Sequence, residues 1–310
     1  MLSVLDKWEE AKKKLNDYIY LYKIPYEKIA VSFSGGKDST IVLRLIEEMG
    51  LKNKVKVVFF NTMMEYNTIY DFINEKRNEG WIIEETKPAL PAPLIYKKFG
   101  KPFQSKMTSE LLDRLQQHNF DFINDSQKSY EELIRLYPKC KSALDWYKGK
   151  NIKINCPQWL FNELSTNGLN FKVANKCCEY LKKKPVYAYH KEHDIKLSIV
   201  GIRQAEGGVR AQIYKGCLLY DKKHNNVKYF PLFWFSDEDV EEIIKLKQIK
   251  ISDAYTKYGL KRTGCVGCPF SRDCNGELEI LKQYEPNKYT ACINLFKESY
   301  DLKNKKRKGD

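Results

Sequence analysis

Six consecutive residues, Ser34-Gly35-Gly36-Lys37-Asp38-Ser39, bring two glycines, a lysine, a carboxylate and two hydroxyls to the end of an apolar run. Glycines let the backbone approach a ligand closely, the lysine supplies a compact positive charge, and the serine hydroxyls add donors. The set suits a phosphate or a similar oxyanion held where a strand turns into a helix, because the first N–H groups of a helix point outward. The spacing is not G-x-x-x-x-G-K-S/T, which disfavours an ordinary Walker-type nucleoside triphosphatase. A second chemical resource is thiol. Of nine cysteines, Cys177 and Cys178 are adjacent, Cys265 and Cys268 form a C-x-x-C, and Cys274 and Cys292 lie beyond. Cys140, Cys156 and Cys217 are scattered and are read as packing or incidental thiols. In a chain whose first residues carry charges where an export signal needs an apolar stretch, cysteines are expected as thiols or metal ligands, not as a disulfide framework.

These residues need a scaffold. Residues 3–20 have the spacing of an amphipathic helix, followed by a strand over 28–34 and the six-residue loop. Ile41, Val42, Leu45, Ile46 and Met49 fall on one face of a helix that Gly50 can end. The nearly continuous apolar run 55–62 predicts a strand buried on both faces of a parallel sheet. A helix near 67–78, a strand near 81–86 and a strand over 196–203 continue the alternation, and 236–248 reads as a helix opened by an S-x-x-D capping pattern. The fold expected is α/β, with a doubly wound, mostly parallel sheet, a helical insertion and a cysteine-rich C-terminal segment. The organisation expected is a first α/β part over 1–90, a specificity insertion over 91–175, the rest of the α/β domain over 176–260, a metal-binding segment over 261–302 and a basic tail over 303–310.

The stretch S-G-G-K-D-S after a strand resembles the PP-loop of the ATP pyrophosphatases, the adenine nucleotide alpha-hydrolase-like proteins. The resemblance implies a loop that holds the pyrophosphate of ATP, or the oxyanion of an adenylyl sulfate, while an acceptor oxygen attacks the alpha-phosphorus. In that role Lys37 neutralises the leaving pyrophosphate, with Mg²⁺ assisting, and Asp38 fixes the loop or associates with the metal. Further stretches are similar to the phosphoadenosine phosphosulfate (PAPS) reductase-like branch. Residues 61–66, N-T-M-M-E-Y, are similar to its D-T-G-x-E-F/Y, matching at Thr62, Glu65 and Tyr66 and departing at Asn61 and Met63; the segment is implied to lie near the adenosine. Residues 201–210 preserve Gly201, Arg203, Glu206 and Arg210 of G-x-R-x-x-E-S-x-x-R, which implies arginine forks for sulfate or phosphate.

Residues 176–185 look like the C-C-x-x-x-K-x-x-P of the iron-sulfur adenylyl-sulfate reductases, with Lys182 and Pro185 in register. The resemblance implies a 4Fe-4S cluster on Cys177, Cys178, Cys265 and Cys268. Zinc is the competing metal, since four thiolates also satisfy a tetrahedral site. The spacing C-x2-C-x5-C keeps Cys274 open as an alternate ligand, with Cys177, Cys178 or Cys292 completing the set. The E-C-G-I/L-H-type stretch that carries the catalytic cysteine of the assimilatory reductases is absent. The pattern looks closer to phage- or prophage-type PAPS reductase-like proteins and to the sulfur-transfer component of DNA phosphorothioation.

Three functions follow as expectations. The first is an iron-sulfur enzyme that cleaves ATP or a related adenine nucleotide at the alpha-phosphate and passes sulfur to an acceptor. The second is thiol-dependent reduction of PAPS or adenylyl sulfate to sulfite, with Cys274 or Cys292 as nucleophile. The third is nucleotide sensing without catalysis. A net charge of +14 favours polyanionic partners and permits a nucleic-acid acceptor. The longest apolar run, 229–235, is too short to cross a bilayer, so no membrane partner is expected and the cytoplasm is the expected location. The sulfur donor or reductant and the oligomeric state stay open. His118, His190, His193 and His224 show no ligand spacing, and the F-W-F at 233–235 reads as core.

Overall fold

The computed structural model describes residues 2–151, 153–207 and 215–305, which fall into two compact units. The first takes residues 1–88 and 182–264, and the second takes 89–181 with the chain from Cys265 onward.

The first unit is built on one six-stranded sheet. Its strands are β1 (Ile29–Ser32), β2 (Lys56–Phe60), β3 (Ile83–Thr86), β4 (Leu197–Val200), β5 (Leu218–Asp221) and β6 (Asn226–Tyr229), in the order β3-β2-β1-β4-β6-β5. All neighbours run parallel except β5 and β6. Ile29, Ala30 and Val31 are buried without alternation, as expected of a central strand covered on both faces. The expected strands and helices appear with frayed ends. The helix predicted over 67–78 is α3 (Asn67–Asn78), and the one after the loop is α2 (Lys37–Glu48), followed by Gly50 at φ +67°. The Ser236 and Asp239 side chains form a reciprocal capping box on the helix Asp237–Leu246. Helix α1 (Val4–Leu21) buries Trp8 and Leu15, and the Trp8 indole N–H donates to Glu48 at 2.9 Å.

The antiparallel β5–β6 hairpin was not anticipated, because its turn, Lys222 to Asn225, carries no Asn-Gly or Asp-Gly signal. Phe233 and Phe235 are buried as expected of core, whereas Trp234 between them is half exposed.

The second unit is helical. Five helices between Ala92 and Asn167 and two at the C-terminal end, Cys274–Tyr284 and Pro286–Lys305, surround a core that includes Phe103, Leu112, Trp146, Tyr147, Leu160 and Leu302. Cys140 is fully buried in this core and Cys156 packs against it, in keeping with packing roles. No helix among the described residues is long and apolar enough to cross a membrane.

Candidate functional site

In the first unit the chain steps outward from β1 to β2 and β3, then returns to β4 on the other side of β1. The order therefore reverses between β1 and β4, and in an open α/β sheet ligands bind beyond the carboxyl ends of the strands at such a reversal. The Ser34–Ser39 loop leaves β1 there, and Gly201–Glu206 leaves β4. The two exits touch. A Cβ added to Gly201 would lie 2.9 Å from the carbonyl carbon and oxygen of Asp38 and 3.0 Å from the Ser39 nitrogen. Those are backbone atoms that cannot swing aside. Gly201→Ala is therefore expected to displace the loop and lower stability by about 1–3 kcal/mol, measured as a reduced chemical-denaturation midpoint. An unchanged midpoint would show that the loop is not held by this contact.

The loop is braced from within. The Ser34 N–H donates to the Ser39 hydroxyl at 3.2 Å, and the Ser39 and Thr40 hydroxyls both donate to the Gly36 carbonyl at 2.9 Å. Gly35 takes φ +70°, a conformation that disfavours any residue with a side chain, and a Cβ there would lie 3.1 Å from the Ile69 side chain. Gly36 is the N-cap of α2 and gives no side-chain cap, and the first turn carries the acidic Asp38. A Cβ at Gly36 would meet Thr263 Oγ1 at 3.1 Å and Tyr255 OH at 3.2 Å. Tyr255 accepts from the Lys37 N–H at 3.0 Å, bonds Thr263 at 2.9 Å, and lies with its ring 5.5 Å from Lys37 Nζ. Tyr255 and Thr263 carry no motif and reach the loop only through the fold.

Arg203 sits in the middle of the brace, with its side chain 8% exposed. Its Nε donates to Asp38 Oδ1 at 3.1 Å, and Nη1 pairs with Asp237 at 2.8 Å. Burial pushes the Asp38 carboxyl upward, and the neighbouring Arg203 charge only partly opposes it. Burial likewise works against the Arg203 charge, but Asp38 and Asp237 outweigh it and raise its pKa. Two of the nitrogens expected to clamp an oxyanion are thus committed to carboxylates. Glu206 pairs with Arg262 at 2.5 Å, and Arg210 lies outside the described residues. Asn61 orders the 61–66 segment: its side-chain oxygen accepts from the Met63 N–H at 2.7 Å and from the Tyr70 hydroxyl at 3.0 Å, and Thr62 donates to Glu65 at 2.7 Å. Lys182 is exposed in the π-helical turn Glu179–Lys183.

The thiols gather in the second unit. Cys177 is buried, and its pKa is driven upward by the bond with the Cys178 thiol, by burial, and by Cys268 and Cys265 nearby. The buried Tyr96 phenol is raised by burial and then by the same four residues, Cys177, Cys265, Cys268 and Cys178. These four occupy one electrostatic neighbourhood, although they are separated by almost ninety residues in sequence. Cys274 and Cys292 are both buried. Cys292 is 3% exposed, bonds the Val266 carbonyl at 3.5 Å, and is pushed up to about 12 by burial, against Lys288, with Cys274 and Cys265 adding to the rise. Gly267, at φ +60°, lets the C-x-x-C turn lie against it, since a Cβ there would be 2.8 Å from the Cys292 sulfur. The Tyr300 hydroxyl donates to the Gly267 carbonyl.

The expected ligand set is not closed into a metal-holding group among the described residues. Of the four expected ligands Cys177 is buried, and Cys178, Cys265 and Cys268 are half-buried. The donor chemistry still fits, because four mutually perturbing thiols are what a four-thiolate centre requires. For Mg²⁺ the fit is poorer. Asp38 is engaged by Arg203, and no carboxylate cluster stands at the loop among the described residues.

The first unit is a mostly parallel α/β sheet with a glycine-rich loop at its reversal point, and the second is helical and carries the clustered cysteines. The chain belongs to the phosphoadenosine phosphosulfate reductase domain family, whose model matches residues 28–87 and 99–271. Two solved structures are similar to it. A phosphoadenylyl-sulfate reductase from Candida auris, in complex with phosphate, is 12% identical over 86% of this chain and 96% of its own, with a TM-score of 0.46. The U34-tRNA thiolase NcsA from Methanococcus maripaludis, with its 4Fe-4S cluster, is 13% identical over 97% of this chain and 80% of its own, with a TM-score of 0.38. No curated protein matches.

Proposed function

We propose that the protein is an iron-sulfur PP-loop enzyme that binds ATP or a related adenine nucleotide at Ser34–Ser39, cleaves it at the alpha-phosphate and supports sulfur transfer to an acceptor. The observation that carries this reading is the braced loop between β1 and β4 at the reversal of the sheet, where glycine at 35, 36 and 201 lets Ile69, the Tyr255–Thr263 pair and the β4 exit pack directly against the loop backbone. Preorganised donors of this kind act most strongly where negative charge accumulates. The loop N–H groups and Lys37 hold the leaving pyrophosphate. The acceptor oxygen forms its bond to the alpha-phosphorus as the bond to pyrophosphate breaks, and the acceptor proton passes to solvent. Arg203, tied to Asp38 and Asp237, keeps the loop in register; this is positioning, not contact with the reacting atoms. Mg²⁺ would arrive on the nucleotide phosphates, which supply most of its ligands.

Cys177, Cys178, Cys265 and Cys268 are the residues that would hold the 4Fe-4S cluster, with zinc as the competing occupant. When bound, the cluster supplies a centre able to carry a sulfur atom or an electron. The phage- or prophage-type assignment, and the likeness to a DNA phosphorothioation component, rest on the PP-loop and cluster cysteines occurring without the E-C-G-I/L-H-type stretch. The +14 charge leaves a nucleic-acid acceptor within the reading. Thiol-dependent sulfite formation needs an exposed, mobile thiol late in the chain. Cys274 and Cys292 are 2% and 3% exposed within packed helices, which favours the first reading.

The test uses protein purified without oxygen and incubated with ATP labelled in the alpha-phosphate, across candidate nucleic acids and sulfide. The expected result is pyrophosphate and an adenylylated product or AMP. Nucleotide binding with neither product would favour a sensing role instead.

A further inference from the structure

A second pocket lies at the opposite end of the same sheet. It opens where the helix Lys184–Glu192 hands over to β4 and where the hairpin turn leads into β6, at the amino ends of those strands. Its volume is about 450 Å³, and its lining includes Tyr187, His190, Lys191, Lys196, Lys223 and His224. That volume falls within the range of small-molecule sites.

One wall is prebuilt. The rings of Tyr187 and His224 stack 3.6 Å apart at 8°, and His224 Nδ1 is held 3.0 Å from Asp221. Asp221 also accepts from Lys228 at 2.8 Å, and the Lys228 ammonium stands 5.6 Å from the Tyr187 ring. The cations and the carboxylates around the pocket are not evenly matched. Lys196 is neutralised by Asp194 at 2.6 Å, but Lys191 and Lys223 have no carboxylate partner among the described residues.

One lining side chain has a buried polar atom without a partner. His190 is 5% exposed, and its Nε2 is buried without a hydrogen bond. Asn226, next in the chain to the lining residue Asn225, is 1% exposed; its amide nitrogen donates to the Ile195 carbonyl at 2.9 Å while its Oδ1 is left unbonded. Buried polar atoms without partners are uncommon and costly, and a polar ligand is one of the ways they are satisfied. Burial, followed by the Lys228 and His224 charges, holds His190 down to about 4, so its ring is neutral near pH 7 and offers one N–H.

We propose that this pocket binds a small phosphomonoester, its phosphate held by Lys191, Lys223 and the buried His190 and its carbon skeleton laid against the Tyr187–His224 wall. The phosphate chemistry follows from two uncommitted ammonium groups beside a buried ring donor. The ester follows from a cavity larger than a bare oxyanion fills and from the flat apolar wall. The site is separate from the loop after β1 and does not depend on the reaction proposed there.

The test uses the full chain carrying Lys37→Ala, so that the loop does not compete, with the side chains of the four histidines followed by nitrogen-15 NMR. Ribose 5-phosphate and inorganic phosphate are titrated separately. The expected result is a saturable shift of the His190 and His224 resonances, with the ester binding about tenfold more tightly than phosphate and about tenfold more weakly after Lys191→Glu and Lys223→Glu together. Both lysines are exposed, so the double variant is expected to fold, as an unchanged far-ultraviolet circular dichroism spectrum and thermal midpoint without ligand would show. Absence of a saturable shift, or binding indifferent to the double substitution, would overturn the site. Equal affinity for phosphate and ester would overturn the ester assignment.

Discussion

Lys37→Ala is expected to slow pyrophosphate release from ATP by about 10²–10³-fold, the usual cost of removing one preorganised group aimed at developing charge. The side chain starts α2, and its backbone N–H is already used by Tyr255. The substitution therefore removes the ammonium and leaves the loop bracing in place. Ser34, Gly36, Ser39 and Thr40 bond one another without involving the Lys37 side chain, so the fold should be unaffected. Iron content should be unchanged as well, because the thiols belong to a different unit with its own core. Lys37→Arg is a useful control. Arginine keeps the charge but not the compact geometry, and partial recovery would separate charge from shape. Release at the rate of the unaltered protein would remove Lys37 from the chemistry.

Substituting serine for Cys177 or for Cys268 is expected to reduce iron and acid-labile sulfide from roughly four atoms per chain to background and to bleach the visible absorption. Serine at Cys140 should leave both intact, since that thiol is fully buried in the core of the second unit. The informative cases are Cys274 and Cys292. The spacing C-x2-C-x5-C leaves Cys274 open as a ligand, whereas in the fold Cys274 and Cys292 are buried and, after burial itself, together raise the nearby Tyr300. Cys177 feels Cys178, Cys268 and Cys265. Cys274→Ser is thus expected to retain the cluster at reduced thermal stability. Loss of iron in that variant would move the fourth ligand from the adjacent pair to Cys274. Zinc in place of iron in protein purified without oxygen would make the centre structural.

Much of the first unit could be read directly from the chain. The continuous apolar runs of β1 and β2, the periodic face of α2 and the S-x-x-D cap before Asp237 are local signals, and each appears where its pattern places it. The loop was legible for the same reason, since its glycines and lysine are consecutive. The braces were not. Tyr255 meets Lys37 across 218 residues, and Arg203 meets Asp38 across 165. Nothing in the local sequence around Tyr255 marks it, so only the packed fold brings it to the loop. Arg203 illustrates the converse. Its motif suggests an anion fork, but burial beside Asp38 and Asp237 turns much of that fork toward the protein itself. The hairpin β5–β6 escaped because its turn lacks a glycine and its partly exposed strands carry no long continuous apolar run.

Co-crystallisation with a non-hydrolysable ATP analogue is the most direct measurement of where the nucleotide sits. The expected result is density for the phosphates against the Gly35–Ser39 backbone, with Lys37 Nζ on the terminal phosphates and the Arg203–Asp38 pair intact behind them. An analogue bound anywhere else, with Ser34 to Ser39 untouched, would contradict the assignment of this loop as the place where the reaction occurs.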